Sequence, residues 1–278
     1  MKKVYIILLI VCVLCVGVCA GLFIYYDNMV SSDETPYDDD YESLKVYDTT
    51  VPADTVPEGT TGADTSDTAL ETQPVPSEPL MDFGPVKQVN PDVCAWLEIP
   101  GLLVDYPVLQ SPTDDSKYLD TALDGSYYIG GSLFTEHVYN STDFNDPVTI
   151  IYGHTMKSGA IFGQLESTYT DPATFEAHRD IRLYLEGEVR HYRIFASLPF
   201  DKRHIMYTYD FNDPYVHKLF FKEVRESREL VAIYDESIVP TVDDRVLILS
   251  TCLAGDSNKR YLVLAINQDD LADNGGLS

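Results

Sequence analysis

The stretch Val246–Ile266, VLILSTCLAGDSNKRYLVLAI, predicts two strands joined by a short loop. Val246–Leu249 is apolar without a break, which is typical of a strand buried on both faces. Residues 253–258 are rich in Gly, Asp, Ser and Asn, which tight turns favour. Cys252 closes the first strand and Arg260 opens the second. We therefore expect a thiol and a guanidinium side by side at the edge of a sheet.

The composition of the whole chain excludes several classes of protein. With 278 residues and 45% apolar content, the chain can bury a substantial core. Its net charge of -26 argues against nucleic-acid binding, because no basic excess is present to neutralise phosphates. Three of the five cysteines lie in the first apolar stretch, which leaves Cys94 and Cys252. That is too few for a disulfide framework, although one bridge between them is compatible with the sequence. No Cys or His pair has the spacing of a zinc site.

Residues 1–26 are predicted to be a cytoplasmic stub followed by a transmembrane signal anchor. Residues 4–26 carry no charge, and these 23 residues are enough to span a hydrocarbon core of about 30 Å. Lys2 and Lys3 favour a cytoplasmic N-terminus, so the rest of the chain is expected outside the cell. A signal peptide cleaved near Ala20 is the alternative. The anchor is favoured because the apolar run continues past this alanine.

Residues 27–82 are predicted to be an acidic disordered linker. They contain fifteen Asp or Glu residues and a single lysine, Lys45, among many Pro, Thr and Ser residues. Apolar side chains are too sparse and irregular to offset the entropy lost on ordering. We expect this segment to act as a tether that lifts a domain off the membrane.

Residues 83–278 have the composition of a globular domain in which strands dominate. Residues 148–152 predict a strand, and residues 181–198 predict a hairpin. Capping signals predict short helices over residues 90–96 and from residue 213 to about 229. Because the helices fall in the connections, the predicted architecture is mainly β, a closed or nearly closed barrel.

His154 supplies a third reactive group. It follows the predicted strand 148–152 and precedes a loop that contains glycine, and loops at strand ends often carry function. A thiolate at Cys252 can attack a carbonyl, His154 can protonate the leaving amine, and Arg260 can stabilise the oxyanion. These residue types also occur together by chance in a domain of this size. A buried structural cysteine, a surface histidine and an ion-paired arginine therefore stay open as the alternative.

The sequence around these three residues resembles that of the sortases, the membrane-anchored cysteine transpeptidases of Gram-positive surfaces. The resemblance rests on Leu-Ser-Thr-Cys at 249–252 with Arg260 beyond it, and on Tyr-Gly-His at 152–154. It extends over about residues 90–267 and keeps the order His, Cys, Arg. The predicted helix at 213–229 is similar to one that class B sortases carry between two barrel strands.

This resemblance implies an eight-stranded β-barrel with the active site at one end. It also implies that Cys252 attacks a threonine carbonyl in the C-terminal sorting motif of a secreted protein. His154 then protonates the departing amine, while Arg260 holds the carbonyl or the oxyanion. An amino group of a peptidoglycan precursor or of a pilin resolves the thioester. The resemblance implies no metal and no cofactor.

Ser250 and Thr251 are predicted to bind the substrate, since Ser250 shares a strand face with Cys252. Two residues depart from the class B pattern and leave the substrate preference open. Thr155 stands where asparagine is common, and Leu253 stands where an acidic residue is common.

The sequence leaves alternatives open for the protein as a whole. The favoured prediction is a single-pass enzyme of the cell membrane, with its catalytic domain outside the cell. A pilin-polymerising sortase and an inactive sortase-like binding module on the cell surface are the alternatives. Leu119 and Tyr209 are weaker candidates for walls of the active-site groove.

Overall fold

The computed structural model describes residues 12, 14–24, 41–48 and 78–273. Residues 14–24 are helical, and their side chains are exposed. Within the described residues, no helix is both long enough and apolar enough to cross a membrane. Apart from residue 12, the other residues of the predicted anchor lie outside the described part of the chain, so the anchor stays a prediction.

A closed barrel of eight strands forms the centre of the molecule. Among the described residues there are eleven strands, eight of which form the barrel: β1 Val46–Tyr47, β2 Met81–Asp82, β3 Val93–Glu98, β4 Asp105–Leu109, β5 Leu133–Phe134, β6 Val148–Tyr152, β7 Asp180–Leu185, β8 Glu188–Asp201, β9 Ile233–Tyr234, β10 Val246–Leu253 and β11 Asp256–Asn267. Neighbours in the main sheet follow the order β11-β10-β6-β5-β4-β3-β7-β8-β9, and β8 also pairs with β11. This last pairing closes the ring and leaves β9 outside it. The predicted eight-stranded barrel is therefore confirmed.

Within residues 78–273, five short α-helices lie between strands and a sixth follows β11. They are α1 Gly84–Val89, α2 Leu165–Tyr169, α3 Pro172–Ala177, α4 Ile205–Thr208, α5 Pro214–Arg225 and α6 Gln268–Asp273. The predicted cap of α5 is confirmed, because the carboxylate of Asp213 accepts hydrogen bonds from the N–H groups of Tyr215 and Val216. The helix ends at Arg225, earlier than the predicted end near residue 229.

The helix predicted over residues 90–96 is wrong. Asn90 is the C-cap of α1, and β3 begins three residues later. The Asn90 carboxamide donates to the Leu123 carbonyl over 2.9 Å, and its oxygen accepts from the Asp92 N–H over 3.0 Å. The asparagine thus turns the chain into a strand. Burial of that strand between β4 and β7 overrides the local capping signal.

Strand β10 divides its apolar side chains between two cores. Leu247 and Leu249 belong to the first core, whereas Ile248 belongs to the second, and all three are fully buried. Phe220 and Phe221 of α5 pack in the second core. Because successive side chains of a strand point to opposite faces, β10 is covered on both sides. The prediction from its unbroken apolar run is confirmed.

Residues 41–48, which we call the strap, pack against β3 and β4 although they lie inside the predicted linker. The ammonium of Lys45 is 2.9 Å from a Glu98 oxygen and 2.8 Å from an Asp105 oxygen. Tyr41 is buried in the first core, and β1 pairs with β2. The predicted disorder therefore does not hold for this part of the linker, because its single lysine meets two carboxylates. Ordered residues thus precede the predicted domain boundary at residue 83.

Candidate active site

The parallel pairing of β6 with β10 brings the predicted histidine and cysteine to the same end of the barrel. Ser250 pairs with Tyr152, and the Gly153 N–H donates to the Ser250 carbonyl over 3.2 Å. Since parallel strands run in the same direction, the residues that follow this bond lie at the same end of the two strands. Those residues include His154 and Cys252.

The antiparallel pairing of β10 with β11 adds the predicted arginine. Cys252 and Arg260 are direct partners in the ladder, as expected from the sequence. The turn between the strands is shorter than the predicted loop, because β11 begins at Asp256 and only Ala254 and Gly255 lie between them. The register shifts just after Cys252, which marks an irregularity at the end of the ladder.

A cleft of about 320 Å³ opens at this end of the barrel. The five residues predicted for the site all line it: His154, Ser250, Thr251, Cys252 and Arg260. The other lining residues are Asp115, Ser116, Leu119, Phe134, Glu136, Tyr152, Gly153, Lys202, Arg203, His204 and Ile205. Cys252 is exposed, and neither it nor Cys94 is in a disulfide. The bridge that the sequence left open is therefore not formed.

A backbone carbonyl fixes the proton on the His154 ring. The Nε2 atom lies 2.8 Å from the carbonyl oxygen of Leu119. Because a carbonyl oxygen can only accept, Nε2 carries the hydrogen and donates it. In the neutral ring, Nδ1 then keeps its lone pair and can serve as a base. Leu119 was predicted only as a weaker candidate for a wall of the groove. The hydrogen bond to its backbone carbonyl leaves no signal in the sequence, because every residue has a carbonyl.

The two predicted substrate-binding residues line the cleft, although both are largely buried. Ser250 is 4% exposed and Thr251 is 2% exposed. The hydroxyl of Thr251 lies 2.7 Å from the hydroxyl of Thr155, which itself lies 2.6 Å from the Cys252 carbonyl oxygen. Their role in substrate binding stays a prediction. Tyr209 is not among the lining residues. Its side chain is buried, and its hydroxyl contacts the Glu223 carboxylate.

A polar network on the wall of the cleft was not predicted. Glu136 accepts a hydrogen bond from the Tyr152 hydroxyl over 3.1 Å and contacts the His204 ring nitrogen at 2.8 Å. Burial and the neighbouring carboxylate raise the pKa of Tyr152, so this phenol stays protonated. The network joins residues far apart in the chain, which local sequence patterns do not reveal. Among the described residues, no group of three or more His, Cys, Asp or Glu side chains could hold a metal ion.

Comparison with known proteins points to one family. A family model described as the Sortase domain matches residues 97–268. Sortase B of Listeria monocytogenes is 28% identical over 176 residues, which cover 63% of this chain and 68% of that protein. The fold is similar to an X-ray structure of Clostridium perfringens sortase B, with a TM-score of 0.57, 27% identity, and coverage of 66% of this chain and 97% of that one. A Staphylococcus aureus sortase B–substrate complex gives a TM-score of 0.56 at 26% identity, covering 66% and 82% of the two chains.

Proposed function

Because this chain belongs to the sortase family, we propose that it cuts the C-terminal sorting motif of secreted proteins with Cys252, His154 and Arg260. Membership implies cysteine transpeptidase activity, and the relatives are class B sortases. The residues that perform the reaction, the motif and the acceptor amine belong to the proposal. The observation that carries it is the pairing of β10 with both β6 and β11, which gathers the three side chains around one cleft.

The first half of the reaction transfers the substrate to the enzyme. The Cys252 thiolate attacks the carbonyl carbon of a threonine, and the electron pair of the C=O bond moves onto oxygen. Arg260 stabilises this oxyanion with its permanent charge. When the tetrahedral intermediate collapses, the C–N bond breaks and the leaving amine takes a proton from the His154 imidazolium. The product is a thioester on Cys252.

The second half of the reaction releases the enzyme. An amino group attacks the thioester carbonyl, the C–S bond breaks, and the thiolate is regenerated. His154 accepts the proton that the incoming amine loses. Since Nε2 already donates to the Leu119 carbonyl, Nδ1 is the nitrogen that takes up and returns this proton in both halves.

We place the enzyme at the cell membrane, anchored through residues 4–26. Support comes from the uncharged run itself, from Lys2 and Lys3 before it, and from the helical conformation of residues 14–24. The partners are then secreted proteins with a sorting signal, and an amine of the peptidoglycan precursor. A wash with carbonate tests the anchor, because release of the full-length chain from membranes would contradict it.

Peptide cleavage by the full-length chain in detergent micelles tests the catalytic roles. The substrates are fluorogenic pentapeptides that vary around the threonine of the scissile bond. Cys252→Ala is expected to reduce turnover at least about 10³-fold, and His154→Ala about 10²- to 10⁴-fold. Cys94→Ala is the matched control and should keep wild-type turnover. Unchanged turnover in a folded Cys252→Ala variant contradicts the proposal.

The acceptor separates the proposal from its alternatives. Adding a peptidoglycan stem-peptide amine should convert the cleaved peptide into a transpeptidation product that mass spectrometry identifies. Preference for a lysine side chain in a pilin-like peptide would instead favour a pilin-polymerising sortase. Binding of the pentapeptides without any cleavage would favour an inactive surface module.

A further inference from the structure

The side chain of Thr155 connects the loop that carries His154 to the strand that carries Cys252. Its hydroxyl oxygen lies 2.6 Å from the Cys252 carbonyl oxygen and 2.7 Å from the Thr251 hydroxyl. A carbonyl oxygen only accepts, so the Thr155 proton is donated to Cys252. Between the two hydroxyls, Thr251 must then be the donor. The hydrogen bonds run from Thr251 through Thr155 to the backbone of the nucleophile.

This contact lies beyond the end of the backbone ladder. The last backbone bond from the end of β6 to β10 is the one from the Gly153 N–H to the Ser250 carbonyl. After it, the chain folds back on itself, because Thr155 pairs with Ile161 and the Phe162 N–H donates to the His154 carbonyl over 3.0 Å. The histidine loop is thus closed internally, and the Thr155 hydroxyl ties it to β10.

We propose that Thr155 is a positioning residue that sets the separation between the His154 ring and the Cys252 sulfur. The proposal rests on the roles assigned above to these two residues. Thr155 takes no part in proton transfer itself, since its hydroxyl hydrogen is donated to the Cys252 carbonyl. Its effect comes through geometry, and a displacement of about 1 Å in a reacting pair can reduce the rate about 10²-fold.

Replacing Thr155 with valine or serine separates the hydroxyl from the shape of the side chain. Thr155→Val keeps the shape and removes both hydrogen bonds, so kcat should fall about tenfold while KM stays near the wild-type value. Thr155→Ser keeps the hydroxyl and should retain wild-type kcat. Thr155→Ala removes the hydroxyl together with the γ-methyl group, and it replaces Thr155→Val if that variant does not fold. Equal kcat in the serine, valine and wild-type proteins overturns the proposal.

Thr174→Val is the matched control, because the Thr174 hydroxyl also contacts a backbone carbonyl, that of Thr168, but lies on α3 and has no contact with β10. It should lose thermal stability to a similar extent while kcat stays unchanged. A loss of kcat in Thr174→Val as large as that in Thr155→Val would reduce the effect to general destabilisation and overturn the proposal.

Alkylation of Cys252 by iodoacetamide gives a readout that does not depend on a peptide substrate. Its rate constant at pH 7, followed by mass spectrometry, should fall several-fold in Thr155→Val and return in Thr155→Ser. Turnover by Cys252→Ala distinguishes a failure of the proposed function from a failure of the role proposed for Thr155. If it leaves peptide turnover intact, the proposed function is wrong. If it abolishes turnover while Thr155→Val behaves as Thr174→Val does, only the role of Thr155 is wrong.

Discussion

Strands β3 and β10 each carry a cysteine, and the barrel gives the two thiols opposite surroundings. Cys94 on β3 packs against the first core and donates its thiol hydrogen to the Val108 carbonyl over 3.4 Å. Burial raises the pKa of Cys94 to about 12. Cys252 on β10 is exposed at the cleft beside Arg260. The reactivity of each thiol depends on where its strand ends, because β3 continues under the strap while β10 ends at the cleft.

A thiolate-selective reagent should produce the largest difference between the two strands. With a pKa of about 12, only about one Cys94 thiol in 10⁵ is ionised at pH 7. We expect a methanethiosulfonate to modify Cys252 at least about 100-fold faster than Cys94. Mass spectrometry of the two peptides measures this ratio. Similar rates at both positions would contradict a difference in reactivity between the two thiols.

Replacing Arg260 tests whether the surroundings of Cys252 matter beyond its exposure. Arg260→Ala should lower kcat/KM about 10²-fold, because the oxyanion loses its cation. Arg260→Lys keeps the charge but not the planar fork, so a smaller loss of about tenfold is expected. Steady-state cleavage of a pentapeptide measures both. If both variants match the wild type, exposure alone distinguishes Cys252 from Cys94.

Removing Lys45 tests how much the strap stabilises the side of the barrel formed by β3 and β4. Lys45→Met removes the cation that Glu98 and Asp105 share and leaves Glu98 with Arg182 as its remaining cation. We expect a loss of about 1–2 kcal/mol in the free energy of unfolding, given the partial exposure of these groups. Urea denaturation measures this loss, and kcat should not change. Lys87→Met is the matched control, because its ion pair with Glu186 is more exposed and should contribute less than about 0.5 kcal/mol. Equal losses in the two variants would mean that the strap adds nothing specific to β3.

A buried histidine should have a smaller effect, on the pH dependence of the free energy of unfolding. His217 of α5 is 1% exposed, its Nε2 has no hydrogen-bond partner among the described residues, and burial lowers its pKa. Below the unfolded pKa of about 6.5, the unfolded chain takes up a proton that the folded chain resists. Stability should therefore fall as the pH decreases, by about 1 kcal/mol between pH 7 and pH 5.5. His217→Phe should remove this part of the pH dependence, and chemical denaturation at each pH measures the difference. Parallel curves for the two proteins would contradict it.

The sequence predicted those parts of the molecule whose signals are local. An unbroken apolar run indicated a strand covered on both faces, and the position of Cys252 and Arg260 around one turn indicated neighbours in a ladder. Both predictions depend only on residues within one hairpin. The cap at Asp213 likewise depends on N–H groups two and three residues away. For the same reason, the end of that helix was predicted less well than its start.

The features that the sequence did not reveal depend on partners distant in the chain. Asn90 looked like the start of a helix because its contact with Leu123 is visible only in the fold. Lys45 looked like part of a solvated acidic segment because Glu98 and Asp105 lie more than fifty residues away. Thr155 was noted only as a departure from a family pattern, and its bond to Cys252 spans 97 positions. These hydrogen bonds and ion pairs join residues that are distant in the chain, and no local sequence pattern encodes them.

The docking of the strap would also limit how far the barrel can work from the proposed anchor. If residues 4–26 cross the bilayer as proposed, only the fourteen residues 27–40 lie between the membrane and the strap. Whatever conformation they adopt, covalent geometry restricts their reach to about 50 Å, whereas the fifty-six residues 27–82 would allow about 200 Å. The barrel would then stay within about 50 Å of the lipid surface, rather than sample the wider volume that an undocked linker allows.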